Sequence, residues 1–432
     1  MSEPRTPSRP APFRLGGFAA KAQRLYAEAN ALAAEGRAAE AEAVYRRSLA
    51  LDPRLAEAHN NLGNVLRALD RAAEAVAAYR EALACGLDHP LVHYNLASAL
   101  KAVGDAEPAE RSFHRALAMR PDYAEAFNNL ANLLREQDRL GESAAAYRRA
   151  LALRPDWDEA HDNLSGALYL LHEAGRTEEA ARFARLWLRD HPDHPLARHI
   201  GAAIAGLSTE ARASDAYVRQ VFDLFAGEFE SKLAELGYRA PALLAEALAS
   251  GKAADASLAV LDAGCGTGLC APLLRPFARR LVGVDLSPGM LERARARGLY
   301  DDVEEAELGA FLAGQPGAFD LIVAADVLCY FGALDAILAR ATAALRPGGR
   351  LAFTVERLAA AAEPHRVSPH GRYAHAEAHV RGALEAAGLT VLSLSRDTLR
   401  FESGAAVEGV VVVAMRDVEP CMNAGGAGPF EG

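Results

Sequence analysis

Asp262, Gly264, Gly266 and Gly268 stand in the stretch VLDAGCGTGL, where an apolar run ends in an acid followed by three alternating glycines. Glycines at that spacing let a backbone take positive φ and come close to a ligand that a Cβ would hold off. A dinucleotide fingerprint needs a further glycine three positions after Gly266, and Leu269 stands there instead. No Gly-Lys-Ser/Thr follows to hold phosphates and magnesium. With Asp262 before the turn and no cation to receive phosphate, the loop favours a ligand that carries positive charge. Asp285, in VGVDLS, lies 21 residues after Gly264, the placement from which a carboxylate takes both ribose hydroxyls of a nucleoside. A second group of polar side chains comes later: Asp326, Tyr330, His370, Arg372, Tyr373 and His375, the last four within SPHGRYAHAEAH. A neutral histidine there could take a proton, and an arginine could hold an acidic substrate.

Strands alternating with helices must position these residues. LAVLDAG is a buried strand that runs into the glycine turn, with a helix near 269–277 behind it, and RLVGVDLS is the strand that delivers Asp285. DVEEAEL, FDLIVAADVLCYF and RLAFTVE follow as strands, with ALDAILARATAALRPGG a helix stopped by glycine. The helix AHAEAHVRGALEAAG then leads to two last strands, LTVLSLSRDTLRF and AVEGVVVVAMR. The alternation predicts a mostly parallel sheet covered by helices, with its ligand at the carboxyl ends of the strands near the topological switch point. The stretch before it, from about 205 to 250, reads as two helices with a turn at LGYRAP.

The first half has another period. AEAHNNLGNVLRALDRAAEAVAAYREAL from 56, PLVHYNLASALKAVGDAEPAERSFHRAL from 90 and AEAFNNLANLLREQDRLGESAAAYRRAL from 124 align at an offset of 34 residues, the length of a helix-pair repeat. Residues 22–55 make a first copy and 158–194 a fifth. Tyr45, Tyr79, Phe113 and Tyr147 fill the space between neighbours, and Pro53, Pro121, Pro155 and Pro192 end second helices. Asn61, Asn95, Asn129 and Asn163 recur in one column, with Asn64 and Asn132 a turn further on. Amides both donate and accept, so this column suits an extended peptide backbone or, equally, bonds between the helices. Basic residues are not expected to recur on that face.

The repeats resemble tetratricopeptide repeats over about 170 residues, and the asparagine column resembles the peptide-gripping ladder of O-linked N-acetylglucosamine transferases. LDAGCGTG, VGVDLSPGML, FDLIVAADVL and LRPGGRL together resemble the class I S-adenosylmethionine-dependent methyltransferases over roughly 180 residues. The whole chain is similar to a family of predicted bacterial methyltransferases with tetratricopeptide repeats. The resemblance implies a multidomain fold, an all-α solenoid followed by a Rossmann-like α/β domain. Its divisions are a disordered tail (1–20), the repeat array (21–200), a helical lid or connector (205–250), the methyltransferase domain (251–418) and a second disordered tail (419–432). It implies S-adenosylmethionine as cofactor. Asp262 would face its ammonium, Gly264, Gly266 and Gly268 would bring the backbone close, and Asp285 would take the ribose. Leu286 or Met290 would pack on adenine, Glu307 would read its amino group, and Phe225 and Phe229 would form a lid. Methyl transfer needs a general base only for an acceptor that must lose a proton early, and the candidates are the second group of polar residues named above.

The rest of the sequence excludes classes. A net charge of −10 gives no broad field for nucleic acid. Five scattered cysteines show neither CxxC nor His/Cys ligand spacing, which predicts a reducing cytoplasm and no bound metal. No stretch is long and apolar enough to span a bilayer, and the first 20 residues lack a signal core. Cys329 reads as core. No Asn/Asp-Pro-Pro-aromatic segment, proline before Cys329 or paired glutamates follows the fourth strand, which disfavours amino-methylating DNA enzymes, cytosine-C5 enzymes and protein arginine methyltransferases. The expected partners are a protein or peptide on the concave face of the repeats and either that polypeptide or a small molecule as acceptor. The alternatives are an interaction protein with a non-catalytic second domain and, more remotely, a nicotinamide oxidoreductase.

Overall fold

The computed structural model describes residues 15–207, 210–249, 256–359, 363–402 and 404–418. The chain divides into two compact units between Glu179 and Ala180. Residues 15–20, assigned above to a tail, begin the first helix; 1–14 and 419–432 lie outside the described residues.

Alanine-rich segments with an apolar stripe form four helix pairs, α1 (Leu15–Ala34) with α2 (Ala38–Leu51), α3 (Ala56–Ala68) with α4 (Ala72–Ala84), α5 (Pro90–Ala102) with α6 (Ala106–Met119) and α7 (Ala124–Glu136) with α8 (Leu140–Leu153). α9 (Asp158–Glu173) packs on α8, and α10 (Thr177–Asp190) follows it in sequence. Tyr45, Tyr79, Phe113 and Tyr147 are buried. Each asparagine of the column donates its amide to the preceding repeat: Asn61 to Asn30 (2.9 Å), Asn95 to Asn64 (3.1 Å), Asn129 to the Tyr94 hydroxyl (2.8 Å) and Asn163 to Asn128 (3.3 Å). Asn64 also accepts from the Tyr79 hydroxyl (2.8 Å) and Asn132 from that of Tyr147 (2.5 Å). Basic residues recur at the 34-residue offset as Arg67, Lys101 and Arg135, and of these Arg135 reaches Asn132 and Asn163 of the column.

In the second unit, a π-helical turn (Ala197–Gly201) and the short α11 (Ala202–Ile204) precede α12 (Asp215–Phe225), α13 (Phe229–Glu235) and α14 (Ala240–Ala249). The stretch read as two helices is therefore three, because a turn at 226–228 breaks the first. Ser214 caps α12 by accepting from the Tyr217 N–H (3.3 Å).

The sheet strands are β1 (Leu258–Ala263), β2 (Ala278–Asp285), β3 (Asp302–Glu305), β4 (Phe319–Ala324), β5 (Leu345–Arg357), β6 (His365–Val367), β7 (Tyr373–His375), β8 (Leu389–Glu402) and β9 (Ala405–Arg416). Between them lie α15 (Ala271–Leu274), α16 (Pro288–Ala296), α17 (Leu308–Ala313), α18 (Asp335–Ala344) and α19 (Glu377–Ala386). Strands run β3-β2-β1-β4-β5 in parallel. β9 pairs antiparallel with β5, and β8 with β9. Buried on both faces, the central strands are nearly continuous apolar runs. One face packs on α17, α18 and α19 through Phe311, Leu338 and Leu384, the other on α14 and α15 through Leu244 and Leu274. The chain leaves β1 for β2 and β3 on one side and returns through β4 on the other, so the carboxyl ends of β1 and β4 bound the crevice.

Three local readings change. The helix expected over 269–277 shrinks to α15 and a 3-10 turn, Arg275–Phe277. The helix expected to end at a glycine stops at Ala344, and β5 takes up LRPGG. A hairpin, β6–β7, was not expected: Glu356 and Arg357 of β5 pair with Ala374 and His375, so Tyr373–His375 are extended and α19 starts only at Glu377.

Asn95 is 5% exposed. Asn95→Ala should destabilise the array by about 1–3 kcal/mol, the cost of leaving buried partners unmatched, as read by urea unfolding followed by circular dichroism.

Candidate functional site

A cleft of about 970 Å³, its solvent mouth included, opens at the carboxyl ends of β1, β2, β3 and β4. Its floor is the glycine turn. Gly264 has φ +66° and Gly266 φ +53°, a region that L side chains rarely adopt. A Cβ on Gly264 would collide with Val327, whereas a Cβ on Gly266 would meet nothing nearer than Phe229 at 3.9 Å. Gly266 therefore turns its open side to the cleft, where a Cβ would take space from a ligand. Gly268 faces away, packed against Arg297 and Tyr300.

Asp285 closes β2 beside this turn. One of its oxygens accepts from the Gly266 N–H (2.9 Å) and the other from the Ser287 N–H (2.9 Å). Burial raises its pKa against the pull of those two donors. Ser287 then caps α16, accepting from the Met290 N–H (3.2 Å). Leu286 and Leu308 line the apolar wall next to Asp285, while Met290 is 1% exposed and packs beneath it. Glu307 borders the cleft, but both its oxygens cap α17, accepting from Gly309 (2.9 Å) and Ala310 (2.6 Å).

Asp262 lies under the turn rather than on the cleft wall, 1% exposed. It accepts from the Tyr300 hydroxyl (2.6 Å). Burial pushes its pKa up to about 7, partly offset by the Tyr300 hydrogen bond and reinforced by the nearby charge of Asp285.

The other end of the cleft is polar. Asp326, at φ +53°, accepts from Thr354 Oγ1 (2.9 Å) and from Arg400 Nη1 (2.9 Å). Arg400 is 1% exposed, and also pairs with Glu356 and, through Nε, with Glu402 (2.7 Å). Arg372 Nη1 reaches Glu402 at 2.6 Å. Burial works against ionisation of Glu402, yet Arg372 and Arg400 hold its pKa down at about 2. Asp326, Tyr330, Arg372 and Arg400 all line the cleft. His370 stands behind them, 3.6 Å from Glu356, its pKa lowered by burial. Tyr373 and His375 are buried elsewhere: the Tyr373 hydroxyl donates to the Glu210 carbonyl (2.7 Å), and His375 stacks on His379 with His365 alongside. Burial and those two rings push the His375 pKa down to about 3. Among the described residues no group of three or more His, Cys, Asp or Glu is arranged to hold a metal.

Phe229 covers the turn, as part of an aromatic wall with Phe222 and Tyr330, whose rings meet edge to face at 5.9 and 5.7 Å. The side chain of Phe225 lies outside the described residues. Phe222 and Arg400 escaped the sequence reading. Phe222 was within reach, seven residues before Phe229 and so two helical turns away by count. Arg400 sits in a strand with charged residues on both sides, and no local pattern marks it.

Comparison with known proteins agrees with this geometry. A methyltransferase-domain model matches residues 231–394, and tetratricopeptide-repeat models match 29–70, 55–90 and 94–160. The chain is 40% identical over 110 residues to methyltransferase-like protein 27 of Homo sapiens, covering 25% of this chain and 45% of the relative. It is 35% identical over 100 residues to malonyl-[acyl-carrier protein] O-methyltransferase of Serratia marcescens, covering 22% and 37%. The chain thus spans less than half the length of either curated relative. Among solved structures, an S-adenosylmethionine-dependent methyltransferase from Mesorhizobium loti matches with a TM-score of 0.33 and 23% identity, covering 40% of this chain and 96% of that one. The protein therefore joins tetratricopeptide repeats to a methyltransferase domain. No helix among the described residues is long and apolar enough to cross a membrane.

A carboxyl whose folded-state pKa lies above its unfolded value favours the fold while protonated, and that contribution fades as pH rises towards 7. Asp262→Asn should therefore gain on the unaltered protein between pH 4 and 7.5, by roughly 2–4 kcal/mol for a shift of this size. Denaturant midpoints of both proteins across that range provide the measurement.

Proposed function

We propose that the carboxyl-terminal unit is an S-adenosylmethionine-dependent methyltransferase and that the repeats bind a protein or peptide partner. The observation that carries the enzymatic reading is the junction of the open Gly266 backbone with the Asp285 carboxylate in one cleft. The fit is chemical as well as spatial. Asp285 has each oxygen satisfied once and keeps lone pairs for two ribose hydroxyls. Leu286 and Leu308 offer an apolar slot for adenine, and Gly264 and Gly266 a bare backbone for the methionine part. Phe229 and Phe222 cover the turn and keep water from it. Bound there, the cofactor would supply a methyl group on a sulfonium, already activated for displacement.

The chain's own work is alignment and desolvation. Asp262, hydrogen-bonded to Tyr300 beneath the turn, acts through the loop it supports, and Met290 supports the wall from below. Asp326, Tyr330 and Arg372 face the place where an acceptor would enter. His370, Tyr373 and His375 hold that region together rather than meet the acceptor. In the array, Asn61, Asn95, Asn129 and Asn163 donate between repeats and Asn64 and Asn132 accept within it, so a partner would meet what the column leaves exposed rather than the whole ladder.

Asp285→Ala should weaken S-adenosylmethionine binding by about 1.5–3 kcal/mol, roughly 10- to 150-fold in Kd. Isothermal titration calorimetry reads it directly, and unchanged affinity would count against the ribose role. Transfer of labelled methyl to a cell extract, lost in the same variant, tests turnover.

A further inference from the structure

We infer that the methyl acceptor is a carboxylic acid, held by the unshared edge of the Arg372 guanidinium beside the Tyr330 hydroxyl. The inference rests on the methyl-transfer reading and adds the chemistry of the acceptor.

The first observation is what each charged group at that end of the cleft has left to offer. Arg400 has all three nitrogens committed, to Asp326, Glu356 and Glu402. Arg372 commits Nη1 to Glu402. Among the described residues no carboxylate lies within hydrogen-bond reach of its other two nitrogens; the Tyr330 hydroxyl is the neighbour there, and the side chain, 25% exposed, lines the cleft. A guanidinium with one edge anchored and one edge open presents a planar, two-donor face that matches a carboxylate. The turn that carries it is fixed. Gly371, at φ +87°, lends its carbonyl to the His199 ring N–H at 2.8 Å, and the Arg372 carbonyl accepts from the Ser368 N–H at 2.8 Å.

The second observation concerns proton acceptors. An amine arrives protonated and a hydroxyl arrives neutral, so each needs a base at the wall. Asp326 has one oxygen on Thr354 and the other on Arg400. The carboxylates of Asp285 and Glu307 accept backbone N–H groups at the nucleoside end, where Asp285 keeps its remaining lone pairs for the ribose. Burial pushes the Tyr330 pKa up to about 12, and His370 is turned to Glu356 and Glu402 behind the wall. At the acceptor end the described carboxylate on the wall, Asp326, is thus held in place by Thr354 and Arg400 rather than left to turn towards an acceptor. A carboxylate acceptor needs no base, since it is ionised at neutral pH. One of its oxygens would rest on Arg372 and Tyr330, and the lone pair of the other would form the new O–CH₃ bond. The S–CH₃ electron pair would stay on sulfur, so a sulfonium and a carboxylate would become a thioether and an ester with no proton to place.

Calorimetric titration of the full chain saturated with S-adenosylhomocysteine tests this, with succinate and propylamine as probes. Succinate should bind saturably and propylamine should not. Arg372→Gln should raise the succinate Kd about tenfold or more while S-adenosylhomocysteine binds within about twofold of the unaltered protein. That second titration shows the cleft to be intact, and Tyr330→Phe should weaken succinate in the same direction. Unchanged succinate affinity in Arg372→Gln, or propylamine binding in place of succinate, would overturn the inference. Label transferred from the cofactor to a cell extract should be released as volatile methanol by mild alkali, as an ester requires; alkali-stable label would equally overturn it. Failure of S-adenosylhomocysteine itself to bind would instead remove the methyl-transfer reading, and this one with it.

Discussion

Asp285 ties two strand ends together: its carboxylate, at the end of β2, accepts the N–H of Gly266, in the turn that follows β1. The rest of the cleft follows from that bond. The turn can receive it only because Gly264 and Gly266 adopt positive φ, and the left-handed backbone in turn leaves the cleft side of Gly266 bare. Beneath, Tyr300 and Asp262 fill the space under the turn, so it cannot sag into the core. Above, Phe229 limits how far it can rise. A loop held at both faces and pinned from the side is already in the shape a ligand would need, and little ordering entropy remains to be lost on binding.

The opposite end of the cleft works by a different principle. Two guanidiniums and three carboxylates are gathered where water is scarce, an arrangement that costs desolvation for every charge. It is sustained because Arg400 meets Asp326, Glu356 and Glu402 at once, each through a different nitrogen. Such a cluster contributes little net stability, and removal of one partner leaves an uncompensated buried charge. Its value lies in direction. With every nitrogen of Arg400 engaged and its side chain buried, Arg372 is the guanidinium left partly exposed, carried on the turn between β6 and β7.

Much of this was legible in the chain itself, for physical reasons. The repeats announce themselves because each copy must bury the same face against its neighbours, so Leu62, Leu96, Leu130 and Leu164 recur at the helix-pair period. The glycine turn and Asp285 are local features in which residue type and backbone geometry are bound together. The polar floor was only half visible. Asp326, Tyr330 and Arg372 come from loops after strands, where function usually sits. Arg400, however, meets Asp326 across 74 residues of sequence and Glu356 across 44, and no spacing rule spans such a distance. The hairpin was hidden for a related reason: strands of three residues carry almost no periodic signal, and their pairing to the end of β5 decides their conformation. The opposite lesson comes from Asp262 and Met290. Both stand in motif positions, yet both are 1% exposed and neither lines the cleft, so burial is what the fold adds to the motif there.

The most direct measurement is a crystal structure of the protein grown with saturating S-adenosylhomocysteine. The account predicts the ribose hydroxyls on the Asp285 carboxylate, the homocysteine chain over Gly266 and the adenine against Leu286. Density for the nucleoside anywhere else, or none in this cleft at saturation, would contradict it.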